Sequence, residues 1–277
     1  MQSGKADAVL VLGLETSTPQ SSVCLATEDG LVASATLNPR PSVHRGPRTR
    51  AHGEFLAPAI HFCLRQAERD MSAISGVAVG LGPGLFTGMR VGIATAQTLA
   101  HARRLPVVGL ASLDLLAYRV RHVRRLLCPA LDARRGELFW AFYRSAPGGV
   151  QRVTEFRVGP AAKLAGEIKA VGEDVLCVGD GAIANRAVLE SDGAEVGGHD
   201  SAYPAAEALA ELAVARFLRE EGGRPEELLP IYLRKADARI GWETRGLLDG
   251  GRGKLPPRPS APRKAGTGWG ADEGGRR

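Results

Sequence analysis

Residues 8–37 read AVLVLGLETSTPQSSVCLATEDGLVASATL. The run Ala8 to Leu14 is apolar throughout and ends in the turn formers Ser17, Thr18, Pro19 and Gln20, which predicts a buried strand. Val23 to Ala26 predicts a second strand. Asp29-Gly30 is the dipeptide of a tight hairpin, leading into a third strand over Leu31 to Leu37. Downstream, Phe55, Leu56, Ala59, Ile60, Cys63, Leu64 and Ala67 recur at helical spacing. Gly76 to Gly80 then reads as a strand, Thr87 to Arg103 as a helix and Val107 to Leu110 as a strand. The order is β-β-β-α-β-α with one more strand behind it.

The second half repeats this order. Ser112 is placed to cap a linking helix, Leu113 to Arg121. Strands are predicted at Leu126 to Leu131, Leu138 to Tyr143 and Gln151 to Val158, then a helix over 161–170, a strand at Val175 to Val178 and a helix at Ile183 to Glu190. An amphipathic helix, Pro204 to Glu221, closes the pattern before Pro230 to Arg234. Tandem βββαβα lobes predict an α/β, two-lobed actin-like or ribonuclease H-like fold, with lobes at 1–111 and 112–236, a disordered basic tail at 237–277 and a ligand cleft between the lobes. Such an architecture implies a cleft without specifying a reaction.

Composition narrows the classes. With 44% hydrophobic and 24% charged residues, the 277-residue chain is neither disordered throughout nor collagen-like. The opening apolar run is too short for a bilayer, which needs about 20 residues, and it lacks signal-peptide cleavage logic. Cys24, Cys63, Cys128 and Cys177 form no Cys-x-x-Cys pair, so free thiols in a cytoplasmic setting are expected. The net charge of +6 sits mostly outside the folded body: Gly250 to Arg277 alone carries +5. Arg40, Arg45, Arg48 and Arg50 add a second basic stretch without an acid. These two stretches are the candidates for a weak RNA contact.

Three segments could carry chemistry. Glu15, Thr16, Ser17 and Thr18 put a carboxylate and three hydroxyls at the end of the opening strand, and Asp132 stands at the matching place in the second lobe. Two acids facing one cleft would suit a magnesium nucleotide; the alternative is a pair of turns in which each acid accepts backbone N–H groups. The segment Gly80-Leu81-Gly82-Pro83-Gly84-Leu85-Phe86-Thr87-Gly88-Met89-Arg90 could offer N–H groups to an anion, although it is neither a Walker loop nor a dinucleotide fingerprint. Gly84, Gly88, Gly92, Ala96 and Ala100 recur every four residues, giving a helix ridge without bulk. Such a ridge admits a close neighbour, either the chain's own helix (Phe55, Ala59, Cys63, Ala67) or a second chain. No two of the six histidines lie four apart, so a helical metal pair is missing, and no Gly-x-Ser-x-Gly elbow occurs. His52 reads as a polar helix terminus, and Arg119, Arg121, His122, Arg124 and Arg125 as a solvated basic face.

These residues resemble the bacterial TsaB family, partner subunits in tRNA threonylcarbamoyladenosine synthesis. The resemblance rests on Leu14-Glu15-Thr16-Ser17-Thr18-Pro19, His52-Gly53-Glu54-Phe55-Leu56-Ala57-Pro58, the segment Gly82 to Ala94, Asp132-Ala133-Arg134-Arg135-Gly136-Glu137 and Pro230-Ile231-Tyr232-Leu233-Arg234, in order over residues 8–236. It implies a non-catalytic, dimerising subunit with no cofactor. Its partners would be the catalytic paralogue TsaD and the ATPase TsaE, with a homodimer when alone and no membrane. It also implies an interface on the first-lobe helices, through His52, Phe55, Leu56, Ala59, Cys63, Gly84, Phe86, Gly88, Gly92 and Ala96. The cleft set Glu15, Thr16, Ser17, Thr18, Gly82, Gly84 and Asp132 would be a vestigial nucleotide site. The chain departs from the family at Glu15, Leu85 and Gly53, where aspartate, serine and serine are common, which weakens that site further. The rival from another class is an ATP-dependent phosphotransferase of the sugar- or acetate-kinase type; a metallopeptidase-like protein is opposed by the missing histidine pair.

Overall fold

A computed structural model describes residues 9–39 and 51–234, with Ala51 described in its backbone only. The basic stretch from Arg40 and the tail at 237–277 lie outside the described residues. The first lobe comprises β1 (Val11–Glu15), β2 (Ser21–Thr27), β3 (Gly30–Leu37), α1 (Ala51–Gln66), β4 (Gly76–Gly80), α2 (Phe86–Arg103) and β5 (Val107–Leu110). Its sheet runs β3-β2-β1-β4-β5, with β1, β2 and β3 antiparallel and β1, β4 and β5 parallel. After α3 (Ser112–Arg119) come β6 (Leu126–Asp132), β7 (Glu137–Trp140), β8 (Tyr143–Ala146), β9 (Gly149–Arg152), β10 (Arg157–Pro160), α4 (Ala161–Val171), β11 (Val175–Val178), α5 (Asp180–Ala184), α6 (Arg186–Ser191), β12 (Ala194–Val196) and α7 (Ala206–Leu218). The second sheet runs β10-β7-β6-β11-β12 with the same parallel and antiparallel senses, and the β8-β9 hairpin attaches to β6. The internal repeat is therefore real: β1 corresponds to β6, β4 to β11 and β5 to β12.

The central strands are apolar on both faces because both faces are covered. On one face of the first sheet, Leu12, Leu14, Val23, Leu25, Val77 and Val79 pack with Leu56, Ile60 and Leu64 of α1 and Ile93 and Ala96 of α2. Val11, Cys24, Ala78 and Leu110 take the opposite face, with Leu209, Ala210, Ala213 and Val214 of α7. Gly13 makes this approach feasible: a Cβ there would lie 3.0 Å from the Ala206 carbonyl oxygen and 3.3 Å from Ala210. In the second sheet, α4 and α6 pack on one face through Leu164, Ile168 and Leu189. Leu113, Leu116 and Ala117 of α3 join Leu127, Leu131 and Leu176 on the other. Each lobe is thus finished by the helix that follows the other lobe's last strand, and α7 belongs with the first sheet despite its place in the second half of the chain.

Three predicted elements differ, and one strand is added. Leu138 to Tyr143 is two strands, because the chain leaves β10 at Trp140 and re-pairs with β9 from Tyr143; Gln151 to Val158 divides for the same reason. The helix at Ile183 to Glu190 is two short ones, broken at Asn185, whose Nδ2 donates to the Gly181 carbonyl at 2.9 Å. The short edge strand β12 has no counterpart in the sequence pattern. Among the described residues no helix is long and apolar enough to cross a membrane, and all four cysteines are free and buried.

Candidate functional site

The glycine ridge of α2 is used up inside the molecule. A Cβ on Gly84 would collide with the Ser17 carbonyl oxygen, one on Gly88 with that of Thr16, and one on Gly92 with Thr16 Oγ1. The bare row receives the turn after β1. Thr16 Oγ1 donates to the Gly88 carbonyl at 2.8 Å, and the Leu85 N–H donates to the Ser17 carbonyl at 2.6 Å. These contacts compensate for glycine in a helix, which costs roughly 0.5–1 kcal/mol relative to alanine. At the three glycines they correct the expected intramolecular neighbour: it is the β1 turn, rather than the Phe55, Ala59, Cys63, Ala67 row. Of the ten residues assigned to a subunit interface, His52, Leu56, Ala59, Cys63, Gly88, Gly92 and Ala96 are buried, Phe55 and Gly84 are half-buried, and Phe86 is exposed. The apolar α1 side chains among them point to the sheet because α1 packs on β2.

The nucleotide set is closed in the same way. Glu15 is 1% exposed, and Thr16, Ser17 and Thr18 are buried with it. The carboxylate sits against Gly80, where any side chain would displace it. Glu15 Oε1 accepts from the Ser17 N–H at 2.6 Å, while Ser112 Oγ lies 3.3 Å from Oε2 and 2.7 Å from Ser17 Oγ. Burial pushes the Glu15 pKa up, opposed in part by the hydrogen bonds from Ser17, Ser112 and Thr16. Ser112, expected as a helix cap, is the first helical residue, and its hydroxyl serves this buried cluster instead. His52 stands in the first turn of α1, as expected, but is more than a polar terminus. It is buried, its Nδ1 lies 2.6 Å from Ser21 Oγ, and burial lowers its pKa.

The matching strand end in the second lobe stays open. The Asp132 carboxylate accepts from the Arg134 N–H at 2.8 Å and from its guanidinium at 3.1 Å, with the side chain 36% exposed. Arg134, Arg135 and Gly136 follow with positive φ angles of 63°, 58° and 74°, all exposed. Behind them stands Asp180, a residue that the sequence pattern alone does not single out. Its Oδ1 accepts the Asp132 N–H at 3.0 Å, and burial, with the nearby Asp132 charge, raises its pKa. Gly179-Asp180-Gly181 directly after the β11 strand is the available signal, since a Cβ at Gly179 or Gly181 would strike the end of β6. Glu15 and Asp132 therefore do not face one open cleft: one is enclosed, the other is held by its own turn. Gly82 is buried as well.

The exposed surface of the first-lobe helices is built from other residues. Glu54, Ala57, His61 and Phe62 line the outer side of α1, and Phe86, Arg90, Ala94 and Thr98 that of α2. Arg90 stacks on Phe86 at 3.8 Å and donates to Tyr232 Oη at 2.9 Å. The basic face at 119–125 is engaged locally: Arg119 donates to the Tyr203 carbonyl, Arg121 pairs with Glu211 and stacks on Tyr118, and Arg125 pairs with Glu195.

Residues 47–242 match the family model of TsaD, described as tRNA N6-adenosine threonylcarbamoyltransferase. The chain is 27% identical to the tRNA threonylcarbamoyladenosine biosynthesis protein TsaB of Bacillus subtilis, over 84% of this chain and 97% of that one. It is 28% identical to TsaB of Escherichia coli, over 81% and 94%. A solved structure from Pseudomonas aeruginosa, described as an uncharacterized protein with similarity to peptidase YeaZ, is 31% identical and superposes with a TM-score of 0.67, covering 82% of this chain and all of the other. Full-length likeness to TsaB, the repeated five-strand order and the Gly82 to Ala94 segment wrapped on the β1 turn converge: the chain belongs to the bacterial TsaB family, within the wider set that the TsaD model describes.

Proposed function

We propose that the chain acts in tRNA threonylcarbamoyladenosine biosynthesis as a non-catalytic partner subunit, which binds a catalytic paralogue of the TsaD type through the outer sides of α1 and α2. The observation that carries this reading is the enclosure of Glu15, Thr16, Ser17 and Thr18 under Gly84, Gly88 and Gly92. Groups that would have to meet a nucleotide in the first lobe are spent on internal hydrogen bonds, so the fold is kept for its surface. The match to the TsaD family model supports a paralogous pair, which can associate through equivalent elements. The wider reading adds the ATPase TsaE, a homodimer in the absence of the paralogue, and a cytoplasmic setting that suits four free thiols. The phosphotransferase alternative predicts micromolar binding of Mg-ATP with turnover, which calorimetry separates from the subunit reading.

The test is size-exclusion chromatography and affinity measurement with the catalytic paralogue, using Ala57→Arg and Ala94→Arg. Both positions are exposed on helices, so the fold is retained. We expect each variant to weaken the complex by roughly 100-fold, as insertion of a bulky charge at an interface core does. An undiminished complex in both would remove this face from consideration.

A further inference from the structure

The motif Pro230-Ile231-Tyr232-Leu233-Arg234 is singled out by the sequence, and only its Tyr232 touches the surface described above, through Arg90. We infer that residues 223–234 form an interlobe latch, which fixes the glycine segment of the first lobe relative to the Asp132–Glu137 turn of the second. Gly223 pairs with Val107 of β5 through two backbone hydrogen bonds of 2.8 and 3.0 Å. Gln97 Nε2 of α2 donates to the Pro225 and Leu228 carbonyls at 3.1 and 3.2 Å. Leu228, 3% exposed, is a member of the first-lobe core. The Ile231 N–H then donates to the Leu81 carbonyl at 2.8 Å, directly on the glycine segment, and Tyr232 takes the Arg90 hydrogen bond at 2.9 Å.

At the next residue the strap changes lobes. Leu233 packs on the second-lobe core. Arg234 donates through Nη1 to the Ala133 carbonyl at 3.2 Å and forms an ion pair with Glu137. These partners flank Arg134, Arg135 and Gly136, so the strap closes a bridge between the loop after β4 of the first lobe and the turn after β6 of the second. The first-lobe anchors are backbone bonds and a core leucine. The second-lobe anchor is a half-exposed side-chain pair, with Arg234 29% and Glu137 35% exposed, which makes it the end that releases.

Hydrogen exchange read by mass spectrometry on the full chain tests the latch. In Arg234→Ala, amides of residues 81–90 and of 132–137 should exchange faster together, by roughly tenfold, while β1 and β11 keep their protection. Glu137→Gln breaks the same ion pair from the other lobe and leaves the strap intact, so it must reproduce the pattern; it also carries the test should Arg234→Ala fail to fold. The double variant should exchange no faster than Arg234→Ala, because that substitution already removes the Glu137 ion pair along with the Ala133 hydrogen bond. Unchanged exchange in Glu137→Gln, or acceleration confined to 132–137 and the strap with 81–90 unaffected, would reduce the contact to a local tie and overturn the inference.

Discussion

The ends of β1 and β6 occupy equivalent positions in the two lobes and have opposite fates. In the first lobe the acid comes from the strand itself: Glu15 turns inward, Gly80 leaves room for it, and an 18-residue helix, with Gly84 just ahead of it, lays three glycines over the turn. In the second lobe the acid comes from the neighbouring helix: Asp180 reaches back to the Asp132 N–H, that helix is only 5 residues long, and the turn after Asp132 stays in solvent. Both lobes use glycine to bring a strand–helix turn against the central strand. The first lobe extends that row through α2, which makes its strand end a buried joint. Divergence within an internal repeat thus shows which half has been committed to structure.

The most severe way to break the contrast is Gly88→Ala. A methyl group there meets a backbone oxygen that cannot move without pulling the β1 turn off α2, so we expect a loss of about 3 kcal/mol, seen as a melting temperature lower by roughly 6–12 °C. Next comes Ser112→Ala. It deletes the hydroxyl between Glu15 and Ser17 and leaves a buried carboxylate oxygen short of a donor, at a cost of about 1–2 kcal/mol in chemical denaturation. Glu15→Gln addresses the charge itself. Because burial raises the folded-state pKa above 4.5, the folded protein holds that proton more tightly than the unfolded chain. Its contribution is therefore fully present below about pH 4.5 and is lost as pH rises through the folded value. The glutamine variant should flatten the dependence of melting temperature on pH across that window and be no less stable than the parent at pH 7. The smallest effect belongs to Asp132→Asn, which loses only an exposed pair with Arg134; about half a kcal/mol or less is expected. A large effect there would mean that the open turn is as structural as the closed one.

The repeat is legible because its central strands are apolar on both faces and its turns carry Gly, Pro or Asp; Gly76–Gly80, Val107–Leu110 and Val175–Val178 fall where the pattern places them. Elements that change partners are not legible, since periodicity reports burial and not the neighbour that supplies it. That is why Leu138 to Tyr143 reads as one strand, and why α7 reads as part of the second lobe. The bare ridge on α2 does need a close neighbour, as its spacing predicts. Its neighbour is a five-residue turn some 70 positions earlier in the chain, and spacing along one helix carries no information about that. Glu15 illustrates the same limit: the residue type suggests chemistry, and only the position of Gly80 beside it shows an enclosed acid.

The exchange of α3 and α7 between lobes has a consequence for how the protein is made. Val11, Cys24, Ala78 and Leu110 leave the ribosome well before α7, yet the face they form is covered by that helix, whose last residue is Leu218. At ordinary elongation rates, the nascent first sheet waits on the order of ten seconds with an oily side uncovered. Until α7 is made, that face is apolar surface open to wrong partners, and a chain cut short before α7 leaves it uncovered.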